Sequence, residues 1–342
     1  MGFEVATYTD VLASEAIDGV DGFNFQSVSE GVTGVDQQQI RQSLLHRVLS
    51  SWAIEHDAMA HPATCAFVVR DGRFYLSRGK STGRTNNGRD GNQLTQTIIT
   101  SDPDDFVPYR PAQLYGATEW TLEKAPSSTS DPWVTPLEIK PEFEVAALEA
   151  LVTADEWAGT VLPHFLTMID AAAAAEPKKL VLIHDDLDVV MQWIALGTLF
   201  VDADAARLLQ FRALVDDPWR ADAALVGVSP DFGRSELSAA NVLDLSSRSL
   251  PSIEPSDSAR VRASWFLEQG ADDALNAIEI ARRWEASLGA DLANDAARVV
   301  GLPEAVIPGQ SAWQASMAAT EQLASAGLRD DLALYAEELC EA

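Results

Sequence analysis

The sequence has 342 residues, of which 47% are apolar and 22% charged, a composition typical of folded proteins and too apolar for intrinsic disorder. Its 52 acidic residues outnumber the 24 basic ones, and the formal net charge is −28. Because this charge repels phosphate backbones and acidic headgroups, we expect no direct binding to nucleic acid or to a membrane.

Residues 1–125 predict a β-rich N-terminal domain. Asp71-Gly72 joins two alternating apolar runs, and this pair is typical of a type I′ hairpin turn. Helical spacing predicts a helix capped by Asp36 and continuing to Leu49. The predicted strands are Phe3–Thr9, Phe23–Ser27, Ala66–Arg70, Arg73–Arg78 and Leu94–Ile99.

The remaining chain divides into three predicted parts. Residues 126–141 contain four prolines and several serines and predict a linker. Residues 142–255 predict an α/β middle domain, since the apolar run Lys179–Ile183 is typical of a strand buried on both faces and precedes the helical pattern Leu187–Leu199. Strand signals then vanish, and residues 256–342 predict an all-helical segment. The expected fold class is therefore multidomain α+β or α/β.

Other features favour the cytoplasm. Cys65 and Cys340 lie far apart, without metal-ligand spacing, which argues for a reducing compartment, and we expect Cys65 to be buried in a strand. The segment MGFEVATYTD lacks the pattern of a secretory signal, and the longest apolar stretch is too short to span a membrane.

Short motifs occur in a fixed order over residues 3–235. GFNFQSVSEGV, the hairpin VVRDGRFYLSRGKSTG and the loop GRDGN come first. LVLIHDD, a helix with Trp193-Ile194 and the closing Leu225-Val226-Gly227 with Pro230-Asp231 follow. Together they resemble the N-terminal and middle domains of GTPase-associated protein one, an actinobacterial family of cytoplasmic proteins placed in GTPase-centred conflict or defence systems.

The resemblance implies a non-catalytic adaptor or regulatory subunit that acts through protein contacts with a GTPase or NTPase module. It supplies no catalytic residues, and relatives usually carry a histidine where this chain has Gln96. The sequence itself contains no H-E-x-x-H or Walker A motif, and we expect no enzymatic activity and no bound cofactor. A structural subunit of a larger assembly and a Mg²⁺-dependent nucleotide-binding protein stay open as alternatives.

The polar segment Ser81–Asn92 is predicted as a loop with three glycines and two arginines. Six basic residues fall within the 20 positions from Arg70 to Arg89 of an otherwise acidic chain. Backbone N–H groups and guanidinium forks there could bind an acidic protein surface or a nucleotide, although a long hairpin connection would also need these glycines. The candidate binding residues are Lys80, Arg84, Arg89 and Asn92.

Three carboxylates follow the predicted strand Lys179–Ile183, at the end where α/β folds bind ligands: Asp185, Asp186 and Asp188. Such oxygen ligands suit Mg²⁺. Acids at this position also cap the following helix and interact favourably with its dipole. We favour helix capping and keep the metal site as the alternative.

Overall fold

The computed structural model describes residues 2–48, 59, 61–302, 312–325 and 327–341. The chain forms two compact units, each assembled from segments that are distant in sequence. Unit 1 comprises residues 1–144, 171–195 and 206–250, and unit 2 comprises residues 145–170, 196–205 and 251–342.

Unit 1 contains a ten-stranded sheet with the order β10-β7-β9-β8-β3-β4-β5-β1-β2, and β6 pairs with β1. β10, β7, β9 and β8 run parallel, whereas β8 and the strands beyond it pair antiparallel. The strands are β1 Gly2–Val11, β2 Gly22–Val28, β3 Thr64–Arg70, β4 Arg73–Arg84, β5 Asp90–Thr100, β6 Trp133–Val134, β7 Leu180–Ile183, β8 Phe211–Ala213, β9 Leu225–Val228 and β10 Asn241–Asp244.

Helices form the C-terminal part of the chain, which confirms a multidomain α+β protein with a helical C-terminal segment. No helix in the described part combines the length and apolar character that a membrane crossing requires. The helices are α1 Gly34–Ser43, α2 Val145–Thr153, α3 Glu156–Ala173, α4 Leu187–Leu199, α5 Ala203–Leu208, α6 Asp257–Glu268, α7 Ala271–Leu288, α8 Ala290–Gly301, α9 Ala312–Ser325 and α10 Arg329–Glu341.

The turn between β3 and β4 has the predicted type I′ character. Asp71 and Gly72 both have positive φ angles, of 50° and 74°, and they connect the paired residues Arg70 and Arg73. This confirms the predicted hairpin. Aspartate and glycine suit this turn because both tolerate the positive φ angles that a two-residue connection requires.

The helix predicted to begin at Asp36 begins earlier, and that prediction is wrong in its cap. Thr33 is the N-cap of α1, and its hydroxyl oxygen accepts from the N–H of Asp36. The Asp36 carboxylate in turn accepts from the Thr33 N–H, so the two residues form a capping box. α1 ends at Ser43, and the predicted end, Leu49, lies outside the described residues.

The segment Ser81–Asn92 is mostly strand, whereas the sequence predicts a loop. β4 continues to Arg84 and β5 begins at Asp90, so only residues 85–89 connect them. The ladder continues because Gly83, with a φ of 82°, accommodates an irregularity in the pairing register. The predicted loop is therefore a short tip on a long hairpin.

Residues 126–141, predicted as a linker, pack on unit 1. β6 lies within this segment and pairs with the start of β1, Gly2 opposite Val134 and Phe3 opposite Trp133. Leu137 is buried. The boundaries of the predicted domains stay a prediction.

The apolar run at β7 has all four residues buried between β10 and β9, as expected for a central parallel strand. Gly227 of β9 allows this layer to pack closely. A Cβ at Gly227 would lie 2.7 Å from Cγ1 of Val190 in α4 and 3.2 Å from the backbone nitrogen of Leu214. The glycine of the Leu225-Val226-Gly227 motif therefore has a packing role.

Candidate functional site

The β4–β5 tip is a closed turn held by its own backbone. The Thr85 N–H donates to the carbonyl of Arg89 at 2.8 Å, and the Arg89 N–H donates to the Thr85 hydroxyl at 3.0 Å. The Gly88 N–H donates to the Thr85 carbonyl at 2.8 Å. These bonds leave the side chains of the tip to project into solvent.

Three of the four predicted binding residues meet at this tip. The exposed Arg84 is paired with the exposed Asp90 at 2.9 Å, and the amide of Asn92 donates to the Arg84 carbonyl at 3.2 Å. Arg89 is exposed, and its guanidinium has no ion-pair partner among the described residues. Lys80 is half-buried in the body of β4, opposite Leu94, and lies apart from the tip.

The run of basic residues that leads to the tip does not form one basic surface. Arg70 pairs with Asp222 at 3.3 Å, and Arg73 pairs with the fully buried Asp36 at 2.9 Å. Arg78 stacks over a tyrosine ring and donates to a backbone carbonyl. These contacts neutralise or bury Arg70, Arg73 and Arg78. At the tip, Arg84 is exposed but paired with Asp90, and Arg89 is exposed without an ion-pair partner among the described residues.

Exposed apolar residues lie at the same end of the sheet as the tip. The Asn86 N–H donates to the Asp10 carboxylate at 2.5 Å, which holds the tip against the end of β1. The adjoining β1–β2 connection and the start of β2 expose Leu12, Val20 and Phe23, with 52%, 57% and 46% of their surface accessible. We call Arg84, Arg89, Leu12, Val20 and Phe23 the tip surface. No local pattern indicates the apolar part of the tip surface, because isolated apolar residues in a turn do not reveal their exposure.

The three acids after β7 point to separate partners. The Asp186 carboxylate accepts from the Asp188 N–H at 2.8 Å and so caps the start of α4. The Asp188 carboxylate accepts from the hydroxyl of Tyr115 at 2.5 Å, and the exposed Asp185 lies 3.6 Å from a ring nitrogen of His184. Within the described ranges, no group of three or more His, Cys, Asp or Glu side chains has an arrangement that could hold a metal ion.

Cys65 is buried in β3, as the sequence predicts. Burial raises the pKa of its thiol to about 12, so the reactive thiolate is absent at neutral pH. The side chain of Cys340 lies outside the described residues.

Two family models match this chain in the order that the motifs predict. Residues 2–137 match the N-terminal domain type 2 of GTPase-associated protein 1, and residues 146–247 match the middle domain of the same protein. Together they cover more than two thirds of the 342 residues. The chain belongs to the GTPase-associated protein 1 family. No curated protein sequence matches it.

The two GTPase-associated protein 1 domains share one sheet. β3 belongs to the matched N-terminal domain and β8 to the matched middle domain, and these strands pair antiparallel, with Cys65 opposite Ala213. The backbone ladder between them lies within unit 1, whereas residues 146–170 and 196–205 of the matched middle domain belong to unit 2. The tip surface and the acidic turn Asp185–Asp188 both lie in unit 1.

Proposed function

We propose that this protein is a non-catalytic adaptor or regulatory subunit of a GTPase-centred bacterial defence system, acting in the cytoplasm through protein contacts. Membership of the GTPase-associated protein 1 family carries the proposal, because both matched domains are named for association with a GTPase. The partner is accordingly a GTPase or a related NTPase module.

The residue composition of the tip surface is suited to a contact with another protein. Arginine and aromatic residues are enriched where proteins meet, and apolar residues at the centre of an interface supply most of the binding free energy. Here Phe23, Leu12 and Val20 are accessible at the same end of the sheet as Arg84 and Arg89. A complementary partner surface would combine an apolar patch with carboxylates.

The contacts of the acidic turn favour a structural role for its carboxylates over metal-dependent nucleotide chemistry. Asp186 caps α4, and Asp188 accepts the hydrogen bond of Tyr115. Both carboxylates therefore have structural partners, and a divalent ion would have to displace them.

The test is affinity purification from native cytoplasm, with the recovered proteins identified by mass spectrometry. The tip variant is Arg84→Glu combined with Arg89→Glu. A matched control, Lys140→Glu combined with Lys178→Glu, makes the same charge change at exposed positions of unit 1 that do not belong to the tip surface. We expect a GTPase to be recovered with the wild type and with the control and lost with the tip variant.

Other outcomes have defined meanings. Recovery of the GTPase with the tip variant would show that the contact lies elsewhere on the protein. Recovery of only further copies of the chain, with a defined oligomer by light scattering, would refute the adaptor role and favour a structural subunit.

A further inference from the structure

A cleft of about 370 Å³ lies in unit 1, in the lower part of the range of small-molecule sites. It is lined by Thr64–Ala66 of β3, by Arg212 and Ala213 of β8, and by the loop that follows β8. Ligands commonly bind beyond the carboxyl ends of parallel strands, where the strand order changes. This β8 cleft lies beyond the carboxyl end of β8, the strand at which the parallel part of the sheet meets the antiparallel part, since β8 is parallel to β9 and antiparallel to β3.

Charged residues of both signs line the β8 cleft, and most of them have partners. Arg220 pairs with Asp217 at 3.2 Å, and Asp222 pairs with Arg70 at 3.3 Å. Asp216 also has an interaction partner. The charged lining residues are Arg47, Arg212, Arg220, Asp216, Asp217 and Asp222.

The two other arginines are not paired in this way. In the part of the chain that the structure describes, neither Arg47 nor Arg212 has an ion-pair or hydrogen-bond partner, and the Nε of Arg212 is buried. Burial lowers the pKa of Arg212 and the charge of Arg47 lowers it further, while Asp222 opposes the shift. Holding a partly buried cation beside another cation costs free energy, and an anion that contacts both guanidinium groups would remove that cost.

The backbone beside these arginines is strained and held in place. Leu214 is buried and has a φ of 60°, a left-handed conformation that non-glycine residues adopt mainly at ligand sites and tight turns. The loop beyond it is fixed by Lys179, whose ammonium group donates to the carbonyls of Pro218 at 2.7 Å and Ala221 at 2.6 Å. The wall of the cleft is thus organised before any ligand arrives, which reduces the entropy lost on binding.

We propose that the β8 cleft binds a small molecule that carries a phosphate group, with Arg212 and Arg47 contacting the phosphate. A phosphate monoester carries nearly two negative charges at neutral pH, which matches two cations better than a single carboxylate does. Guanidinium groups bind phosphate oxygens through paired hydrogen bonds. The cleft is larger than a phosphate ion, and Leu44 and Leu214 offer apolar walls for the rest of the molecule. The site is separate from the tip surface and does not depend on the proposed GTPase partner.

The test measures binding by calorimetry and by thermal shift, with sodium chloride adjusted to keep the ionic strength constant. The probes are inorganic phosphate, ribose 5-phosphate, guanosine monophosphate and, for carboxylates, citrate. We expect the phosphate probes to bind and to raise the unfolding temperature, and the organic phosphates to bind more tightly than inorganic phosphate.

Arg47→Ala should weaken binding about tenfold or more, since it removes a charge-assisted contact. Lys178→Ala removes one exposed positive charge outside the cleft and should bind like the wild type.

Arg212→Lys separates charge from geometry, because lysine keeps the positive charge but lacks the guanidinium fork. We expect weaker phosphate binding in a variant whose circular dichroism spectrum is unchanged. If this variant does not fold, Arg47→Ala still decides the matter, because Arg47 is exposed. Equal affinity of Arg47→Ala and the wild type, absence of binding by every phosphate probe, or tighter binding of citrate would each overturn the proposal.

Discussion

The hydroxyl of Tyr115 donates a hydrogen bond of 2.5 Å to the carboxylate of Asp188, joining the turn Gln113–Gly116 to the first turn of α4. The guanidinium carbon of Arg78 lies 4.0 Å from the centre of the same ring. Burial raises the pKa of Tyr115, and the bond to Asp188 adds to the rise, so the hydroxyl remains a donor at physiological pH. Asp188, one of the three candidate metal ligands, therefore has a structural role as the acceptor of this hydrogen bond.

Tyr115→Phe should lower the free energy of unfolding by about 1 kcal/mol, because it removes the donor from a partly exposed charge-assisted hydrogen bond. Tyr109→Phe is the matched control and should change stability by less than about 0.5 kcal/mol. Urea denaturation of Tyr115→Phe, of Asp188→Asn, of the double variant and of the control measures the coupling. Additive effects of the two substitutions would show that the bond contributes nothing.

His46 should make the protein less stable in mild acid. It is 5% exposed and packs against Gly79, and its Nδ1 lies 2.9 Å from the Thr64 hydroxyl. Burial lowers its pKa from 6.5 to about 4, with a smaller contribution from the charge of His61. The unfolded chain therefore takes up the proton first as the pH falls.

The contribution of neutral His46 to the free energy of unfolding is fully present above pH 6.5. It is lost as the pH falls towards 4, by about 3 kcal/mol in total. Denaturant unfolding across this range, in the wild type and in His46→Gln, measures the difference. Carboxylates titrate in both proteins. Only the difference between the two proteins in the slope of unfolding free energy against pH therefore reports on His46. Identical slopes would contradict the prediction.

Asp36 is a buried carboxylate on which the start of α1 depends. It accepts from the Thr33 N–H at 2.8 Å and from the Tyr75 hydroxyl at 2.8 Å, and it pairs with Arg73 at 2.9 Å. Asp36→Ala should cost about 3–5 kcal/mol of unfolding free energy, because it leaves these donors and a partly buried cation without an acceptor. Thermal and urea unfolding test this. Asp90→Ala, which breaks the exposed pair with Arg84, should cost less than about 1 kcal/mol.

Unit 2 contains a carboxylate shared by two arginines. Asp170 pairs with Arg262, which is 1% exposed, and with Arg282, and both arginines also donate to the carbonyl of Phe200. Asp170→Asn should therefore cost about 3–5 kcal/mol, since the buried Arg262 would lose its counter-ion. Glu285→Gln removes an outer contact of Arg282 and should cost less than about 1 kcal/mol in the same unfolding experiment. Similar costs for the two substitutions would contradict a buried ion-pair role for Asp170.

Local chemistry made much of the fold predictable. The Asp71-Gly72 turn, the buried strand at β7 and the helix Leu187–Leu199 follow from turn chemistry and side-chain periodicity, which act over a few residues. The strand β10 escaped prediction. β10 has only four residues, Asn241–Asp244, and is stabilised by pairing with β7, which lies far away in sequence.

The order of the motifs, the family and most local elements can be inferred from the sequence alone, because each depends on residues that are close together in the chain. The pairing of β8 with β3, the contact of Asp188 with Tyr115 and the shared cleft of Arg47 and Arg212 depend on the tertiary fold instead. The residues of each pair are far apart in the chain. Their meeting depends on how the whole sheet packs, which no local pattern encodes.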